Sequence, residues 1–369
     1  MLRVSSEVKL DFSDVLIVPQ RSDLSSRSEV DLMREYSFAH TDRKWKGIGI
    51  ISANMGVTGT FEMSKVLAKH NCLTALHKFY SVEQLVSFYT ENPSLLNNTF
   101  YTVGIGEVDY QKIKQVQREL DNDDFPYFLN IDVANGYMQC FIDAVEKYRK
   151  EFPKAIIMAG NVVTPNIAEE LVLKGADIVK AGIGQGSACQ TRIVAGIGFP
   201  QLSSVAECSF AVHGKPGGLV CADGGCANIG DISKAFCAGG DFVMLGGMFA
   251  GTDECEGEWI YKTKIDHSKN PPLVHTEQIR DKIKFYGMSS EYAQNKFNGG
   301  MNEYRASEGR VVYIKHKGSV EKVIQSILGG LRSTGSYIGA KRIKDFPKCA
   351  QFIRVNNTHN RIYEGKEIE

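Results

Sequence analysis

A closed (β/α)8 barrel, the TIM-barrel architecture, is the fold class that the sequence predicts, and two observations support it. The first is a series of eight short apolar runs: Ile48–Ala53, Leu73–His77, Tyr101–Gly104, Tyr127–Asp132, Ala155–Gly160, Ala176–Gly182, Gly218–Ala222 and Asp241–Gly246. The second is their spacing, because most runs start about 21 to 28 residues apart, the length of one strand plus a crossover helix. Eight such units in a row favour a closed barrel over an open sheet.

Helix signals occupy the segments between these runs. Thr164-Pro165 precedes an apolar stripe at Ile167, Leu171 and Val172, which predicts an N-cap, a first-turn proline and an amphipathic helix. Ser81 before Val82 carries a similar signal. The longest interval lies between the sixth and seventh runs and contains a glycine-rich loop.

Outside the eight units the sequence suggests three further regions. Residues 1–44 read as an N-terminal arm packed outside a barrel core at 45–250. Residues 251–315 are polar, charged and rich in glycine, which is typical of a mobile flap. Residues 316–369 form a C-terminal segment, which returns to a helical pattern at 320–330. We expect a single catalytic domain.

Composition narrows the classes of partner. Lys and Arg number 43, as do Asp and Glu, so the net charge is zero and no overall field attracts nucleic acid or an anionic membrane. No apolar run approaches the length of a membrane span. The nine cysteines are scattered and no secretory signal is visible at Met1, so we expect a reduced, cytoplasmic protein. The spacing of Cys221 and Cys226 does not favour a zinc site.

Polar and glycine residues follow the predicted strands, where barrel enzymes carry their chemistry. The segment from Gly182 to Arg192 holds three glycines in five residues and a cysteine, Cys189, at its tip. The loops Asp223-Gly224-Gly225 and Gly246-Gly247 suit a phosphate held on backbone amides, and Asp223 suits ribose hydroxyls. Together they indicate a nucleoside monophosphate site, in which the Cys189 thiolate attacks an electrophilic ring carbon. The alternative is that Cys189 is a small buried apolar residue.

Longer segments resemble the IMP dehydrogenase/GMP reductase family over almost the whole chain. They are Lys9–Leu16, Asp132–Tyr137, Ala159–Thr164, the Cys189 loop, Asp241–Met248, Phe285–Ser290, Glu303–Gly309 and Ile327–Thr334. The resemblance implies NADPH-dependent reductive deamination of GMP to IMP and ammonia, through a covalent thioimidate between Cys189 and purine C2. It also implies that Thr191 and Glu308 protonate the departing amine, which is otherwise a poor leaving group.

The same resemblance implies binding roles for three sets of residues. Nucleotide contacts are expected at Ser187, Asp223, Gly224, Gly225, Gly246, Gly247, Gly287, Met288, Ser289, Arg305, Ala306, Ser307 and Gly309. Cofactor contacts are expected at Ser26, Arg27, Lys78, Asp132, Val133, Ala134, Ile183, Gly184, Met288, Tyr304, Arg305, Ser333, Thr334, Gly335 and Ser336. A potassium ion is expected on the carbonyls of Gly184, Gly186, Cys189 and Arg192. A homotetramer, in which neighbouring chains border the sites, is also implied.

Three other functions stay open. An IMP dehydrogenase would share the barrel and the cysteine, but the segment Glu303–Gly309 resembles the reductase members, and His77 to Tyr101 leaves no room for the regulatory CBS insertion of many dehydrogenases. A nucleotide-binding paralogue without activity would not need Cys189, Thr191 and Glu308 together. Reductive deamination of a modified purine nucleotide is the third.

The chain departs from the usual family pattern at several positions near the expected site. Gly56 stands where the family usually has Asp, and Phe79 stands where a second histidine is usual. Ala188 and Gln190 replace the commoner Val and Thr, and Gly335-Ser336 replaces a Cys-Thr pair. The stretch from Cys255 to Lys284 is longer than usual.

Overall fold

The computed structural model describes residues 4–214, 217–266, 273–304 and 306–356. Its strands are β1 (Val15–Ile17), β2 (Arg34–Ser37), β3 (Lys44–Gly47), β4 (Ile50–Ser52), β5 (Leu73–Ala75), β6 (Thr99–Val103), β7 (Phe128–Asp132), β8 (Ile156–Val162), β9 (Ile178–Ala181), β10 (Leu219–Asp223), β11 (Phe242–Leu245), β12 (Trp259–Asp266), β13 (Leu273–Tyr286), β14 (Val311–Lys315) and β15 (Phe352–Arg354). Its α-helices are α1 (Phe61–Lys69), α2 (Val82–Glu91), α3 (Glu107–Glu119), α4 (Gln139–Glu151), α5 (Pro165–Leu173), α6 (Thr191–Val194), α7 (Gln201–Val212), α8 (Ile229–Cys237), α9 (Glu291–Phe297), α10 (Val320–Ile338) and α11 (Phe346–Cys349).

Strands β4 to β11 form a closed parallel barrel in chain order, so the predicted (β/α)8 fold is confirmed. Closure is made between β11 and β4, where Val243 lies opposite Ile50. Each of the eight apolar runs supplies one of these strands, because a strand covered by helices outside and by side chains inside is buried on both faces. The carboxyl ends of all eight strands therefore meet at one end of the barrel.

Helix starts follow local sequence with one difference. Helix α2 begins after Ser81, whose hydroxyl accepts a hydrogen bond from the Gln84 amide in a capping box. Helix α5 begins at Pro165 as predicted, but the Thr164 side chain makes no cap bond. Its hydroxyl instead lies 2.8 Å from the hydroxyl of Tyr137.

The last long helix, α10, runs further than the predicted pattern and packs between α8 and α1. It thus occupies the position of the eighth barrel helix, although the flap region separates it from β11 in sequence. Within the residues that the structure describes, none of the helices combines the length and apolar character that a membrane span requires. The division of the chain into arm, core, flap and C-terminal segment stays a prediction.

A hairpin of β2 and β3 covers the amino-terminal end of the barrel. Tyr36 stacks on Phe242 with ring centroids 4.6 Å apart, and Trp45 meets Phe128 edge to face at 6.1 Å. Trp45 lies in β3, paired with Tyr36, and its ring closes the bottom of the barrel.

The region expected to form the flap contains regular structure. Strands β12, β13 and β14 form a three-stranded antiparallel sheet, and α9 lies between β13 and β14 in the chain. The segment from Gly287 to Arg310 leaves this sheet and returns to it. It passes over the carboxyl ends of the barrel strands, where it meets the Cys189 loop.

Candidate active site

The Cys189 loop is joined to the flap by a short backbone ladder. Cys189 lies opposite Gly309 in an antiparallel bridge, with the Gln190 amide 2.7 Å from the Glu308 carbonyl and the Arg310 amide 3.0 Å from the Ala188 carbonyl. A side chain at Gly287 would place its Cβ 2.5 Å from the Ala188 carbonyl oxygen. Glycine at this position is therefore required for the two segments to approach so closely.

This ladder brings together the three residues expected to be catalytic. The Cys189 thiol donates to the Thr191 hydroxyl at 3.2 Å. The Thr191 hydroxyl in turn donates to Glu308 Oε2 at 2.8 Å. A continuous path of hydrogen bonds thus runs from the sulfur to a carboxylate, although Thr191 and Glu308 are 117 residues apart in sequence.

The glycine loops converge beside the same cysteine loop. A Cβ built at Gly247 would lie 2.8 Å from the Ser187 hydroxyl, and one at Gly224 would lie 3.5 Å from the Gly186 amide nitrogen. The loops after β9, β10 and β11 therefore lie against one another at the carboxyl end of the barrel, and glycines of this kind let backbone amides approach an anion. Met288 and Ser289 follow Gly287, which meets the Cys189 loop.

A buried lysine that was not singled out from the sequence links two of the predicted binding residues. Lys180 on β9 is only 2% exposed. Its ammonium contacts the Asp132 carboxylate and lies 3.3 Å from Asp223 Oδ2. Burial lowers the pKa of Lys180, but the charges of Asp132 and Asp223 outweigh that effect and raise the pKa above its ordinary value. Lys180 thus stays protonated and joins strands β7, β9 and β10.

Two asparagines extend this polar group. The side-chain Nδ2 of Asn161 donates to Asp223 Oδ2 at 2.8 Å, and the side-chain Nδ2 of Asn54 donates to Asp132 Oδ2 at 3.1 Å. Among the described residues, nothing donates to Oδ1 of Asp223. That oxygen is available to a ligand hydroxyl, which is the role that the sequence suggested for Asp223.

The N-terminal arm also supports the cysteine loop, which sequence reasoning did not foresee. Asp11 accepts hydrogen bonds from Arg192 at 3.1 Å and from the Gln201 amide at 2.6 Å. The Gln201 side chain, fully buried, donates to the carbonyls of Ala181 and Asp223. The only available signal was that Asp11 falls within the family-like segment Lys9–Leu16.

The remaining predicted residues fall into separate groups. Lys78 lies at the rim after β5, with its ammonium 3.4 Å from Asp109, while Val133 and Ala134 follow β7. Ile183 and Gly184 lie at the start of the cysteine loop, and the Ser307 hydroxyl donates to the Gly309 carbonyl at 3.0 Å next to the exposed Ala306. Tyr304 is 81% exposed, and Arg305 lies outside the described residues.

Ser26 and Arg27 lie away from this group. They belong to a short 3-10 helix of the arm that packs against α10, the helix that carries Ser333, Thr334, Gly335 and Ser336. In the part of the chain that the structure describes, no hydrogen bond or ion pair joins these residues to the Cys189 loop. They form a surface on the same chain that is separate from the Cys189 loop.

Comparison with known proteins assigns the geometry to a family. Residues 9–366 match the IMP dehydrogenase / GMP reductase domain. The chain belongs to the IMP dehydrogenase/GMP reductase family. Because its relatives match over their full length and are named as enzymes, the chain is an enzyme of that family. A protein of Photobacterium profundum named GMP reductase is 47% identical over 367 residues, which cover 99% of this chain and 100% of that protein. Mouse GMP reductase 2 is 46% identical over 367 residues, covering 100% of both chains.

The family resemblance also carries a potassium site, for which the structure offers a limited test. Gly184, Gly186, Cys189 and Arg192 lie on one loop, and a Cβ at Gly184 would come within 2.8 Å of the Arg192 side chain. The Gly186 carbonyl already accepts the Cys189 amide at 2.9 Å. No group of three or more His, Cys, Asp or Glu side chains with metal-binding geometry occurs among the described residues. Potassium binding, which would use carbonyl oxygens, stays a prediction.

Proposed function

We propose that the chain catalyses NADPH-dependent reductive deamination of GMP to IMP and ammonia. The observation that carries the proposal is the hydrogen-bonded path from Cys189 through Thr191 to Glu308. It is supported by the relatives named GMP reductase, which match this chain from end to end. The paired flap segment that supplies Glu308 is the segment that resembled the reductase members.

The first half of the reaction uses the hydrogen-bonded path. The Cys189 sulfur attacks C2 of the guanine ring, and the thiol proton passes through Thr191 to Glu308, following the direction of the hydrogen bonds. The same pair then returns a proton to the exocyclic nitrogen. The S–C2 bond has formed, the C2–N bond breaks, and ammonia leaves a thioimidate on Cys189.

The second half resolves that covalent intermediate. A hydride is delivered to C2, the S–C2 bond breaks, and its electrons return to sulfur as IMP is released. NADPH, when bound, supplies this hydride. One GMP, one NADPH and two protons thus give one IMP, one NADP⁺ and one ammonium ion.

Binding of the nucleotide is assigned to the converging loops. The backbone of Gly224, Gly225, Gly246 and Gly247, with the Ser187 hydroxyl, cradles the phosphate. The free Oδ1 of Asp223 accepts a ribose hydroxyl, and the Met288 backbone with Ser289 borders the base. Ser307, Gly309 and Gly287 contribute through the ladder that brings the flap down on the loop.

Residues after β5 and β7 offer groups that suit the binding of NADPH. Lys78 presents an ammonium that is 40% exposed and suits a phosphate. Asp132 ends β7, and Val133 and Ala134 follow it. Together with Ile183 and Gly184, they border the position from which a nicotinamide reaches C2. Ser26 and Arg27, with Ser333–Ser336, share no hydrogen bond or ion pair with this loop among the described residues. They serve the cofactor of a neighbouring subunit in a homotetramer.

Two further assignments complete the proposal. A potassium ion on the carbonyls of Gly184, Gly186, Cys189 and Arg192 holds the cysteine loop in its reactive shape. The protein acts in the cytoplasm, which agrees with nine cysteines that are all free, including the exposed Cys140.

One experiment separates the candidate activities. The purified protein is given GMP, IMP or a 2-aminopurine nucleotide with NADPH or NAD⁺, and the products are identified by mass. We expect IMP and ammonia from GMP and NADPH, with one ammonia formed for each NADPH consumed. Efficient formation of XMP from IMP and NAD⁺ would assign the chain to the dehydrogenase members instead.

A further inference from the structure

Two departures from the usual family pattern contact the same ring of the flap. Phe79, in the loop after β5, stacks on Phe297 of α9 with ring centroids 3.8 Å apart and planes 11° apart. A Cβ at Gly56, after β4, would lie 3.1 Å from Phe297 Cζ and 3.0 Å from the Tyr286 hydroxyl. A Cβ at position 56 would require the Phe297 ring and the Tyr286 hydroxyl to shift by a few tenths of an ångström, and a longer side chain would compete with the Phe297 ring for this space. The small residue and the large ring belong to one arrangement.

The stack is half-buried and lies against a buried tyrosine. Tyr286 is 1% exposed, its ring lies 6.5 Å from that of Phe297, and its hydroxyl has no partner among the described residues. The Lys296 ammonium lies 5.3 Å from the Phe297 ring centroid. An acid and a histidine at positions 56 and 79, as is usual in the family, would make this contact polar. In this chain it is an aromatic contact between barrel and flap.

The opposite end of α9 is tied to the reacting groups. The Glu291 amide donates to the Ser307 hydroxyl at 3.2 Å, and that hydroxyl donates to the Gly309 carbonyl at 3.0 Å. The Gln294 side chain donates to the Met288 carbonyl at 3.0 Å. Movement of α9 would therefore shift Ser307 and, with it, the neighbouring Glu308.

We propose that Phe79 and Phe297, with the space left by Gly56, form an aromatic clasp that holds α9 on the barrel rim and so positions Glu308 against Thr191. The clasp residues touch no reacting atom and are positioning residues. The effect on rate rests on the proposed function, whereas the effect on flap mobility does not.

Hydrogen exchange measured by mass spectrometry tests the clasp without any catalytic assay. Phe79→Ala removes one ring, and Gly56→Ala crowds the other. In both variants we expect amides of residues 291–297 and 306–310 to exchange roughly 3- to 10-fold faster, as expected for the loss of one aromatic pair. Phe79→Tyr keeps the stack and should retain the wild-type rate. Phe210→Ala, which removes a phenylalanine that is 93% exposed on α7, is the matched control.

Kinetics test whether the clasp acts through Glu308. We expect Phe79→Ala and Gly56→Ala to lower kcat for ammonia release roughly 5- to 20-fold, with a smaller change in KM for GMP and in the hydride step measured from IMP with NADP⁺. Phe79→Tyr, which keeps the stack, should retain the wild-type kcat. Unchanged exchange in both variants overturns the clasp. Faster exchange with unchanged ammonia release overturns its action on Glu308.

Failure of the proposed function would look different. A wild-type protein that does not convert GMP would remove the kinetic test, yet the exchange rates of the variants would still decide whether the clasp exists. A general folding defect would also speed exchange of the barrel amides, so unchanged exchange in strands β4 to β11 of both variants excludes it.

Discussion

The two ends of the barrel each contain a buried cluster of carboxylates and cations, and the clusters are completed differently. At the amino-terminal end, Asp241 accepts from Arg34 at 2.7 Å, from His213 at 2.7 Å and from the Val220 amide at 2.9 Å. At the carboxyl-terminal end, the single ammonium of Lys180 is shared between Asp132 and Asp223. In the first cluster several donors surround one acid, whereas in the second one cation is shared between two acids.

The exposure of the acids shows what the difference means. The Asp241 side chain is 4% exposed, whereas those of Asp132 and Asp223 are 33% and 21% exposed. A carboxylate whose oxygens are all satisfied inside the protein stabilises the fold. A carboxylate with an open oxygen at the mouth of a concavity can bind a ligand. Similar residue types therefore form a closed cluster at one end of the barrel and leave carboxylates partly exposed at the other, where we propose that ligands bind.

The sharpest way to test the functional end is Cys189→Ala. We expect turnover to be abolished and GMP affinity to change little, because the thiol makes the covalent bond whereas backbone amides hold the phosphate. Calorimetric titration with GMP and an assay of NADPH consumption measure the two effects. Cys140→Ala, at an exposed cysteine on α4, is the control and should behave as wild type. Loss of both folding and binding in Cys189→Ala would show a structural cysteine.

Glu308→Gln should have the next largest effect. The change keeps the shape of the side chain but removes a proton acceptor, so we expect ammonia release to slow by about 100-fold or more. GMP affinity and the hydride step from IMP with NADP⁺ should suffer less. Single-turnover measurements of ammonia and of NADPH separate the steps, and equal losses in both would argue against a role specific to the amine.

The comparison itself is tested by changing one acid at each end. Asp241→Asn leaves Arg34 and His213 without their anion, and we expect the free energy of unfolding to fall by about 3 to 5 kcal/mol. Asp132→Asn, in the partly exposed cluster, should cost less stability and should weaken cofactor binding instead. Urea unfolding and cofactor titration of both variants provide the measurements. A reversal of the two results would break the distinction between a structural and a functional end.

Replacement of potassium should have a moderate effect on rate and none on assembly. If loop carbonyls bind the ion, lithium or a bulky organic cation will lower turnover, because Cys189 loses its fixed position. Light scattering should show the same homotetramer in each salt. Activity that is indifferent to the cation, or an active monomer, would contradict this assignment.

The smallest effect concerns His213 and pH. Burial lowers the pKa of His213, but its hydrogen bond to Asp241 and the charge of that acid outweigh burial, so the pKa is raised. The resulting stabilisation is fully present below the ordinary histidine pKa of about 6.5. It is lost as the pH rises through the folded-state value. His213→Gln should therefore flatten the decline of unfolding free energy above neutral pH, which denaturation at pH 6 and pH 9 will show.

Much of the fold was predictable from the sequence because barrel strands are short, apolar and regularly spaced. All eight runs became strands, and the loops after them lie at one end as expected. Lys180 was missed because a lysine inside Ile178–Ala181 looks like any strand lysine until its two acids arrive from β7 and β10. The support from Asp11 and the Phe79–Phe297 stack depend on contacts between segments far apart in the chain, which periodicity does not report.

The flap sheet was missed for a related reason. Its strands mix charged and apolar residues without a regular alternation, and composition alone describes the region as polar and irregular. Their pairing becomes visible only when β14 lies beside β13, with Val312 opposite Phe285. The sequence suggested a mobile role for this region, but it did not reveal the antiparallel sheet that holds the region together.

The two backbone hydrogen bonds beside Cys189 and Gly309 couple the position of the flap to the surroundings of the Cys189 thiol. In the proposed mechanism the nucleophile lies on the barrel loop and its proton acceptor on the flap segment, so a displacement of the flap that breaks the ladder also separates Glu308 from Thr191. The cysteine is then left without the partner that makes it reactive. The backbone ladder and the side-chain path are therefore lost together, and the proposed activation of Cys189 depends on the flap segment being in place.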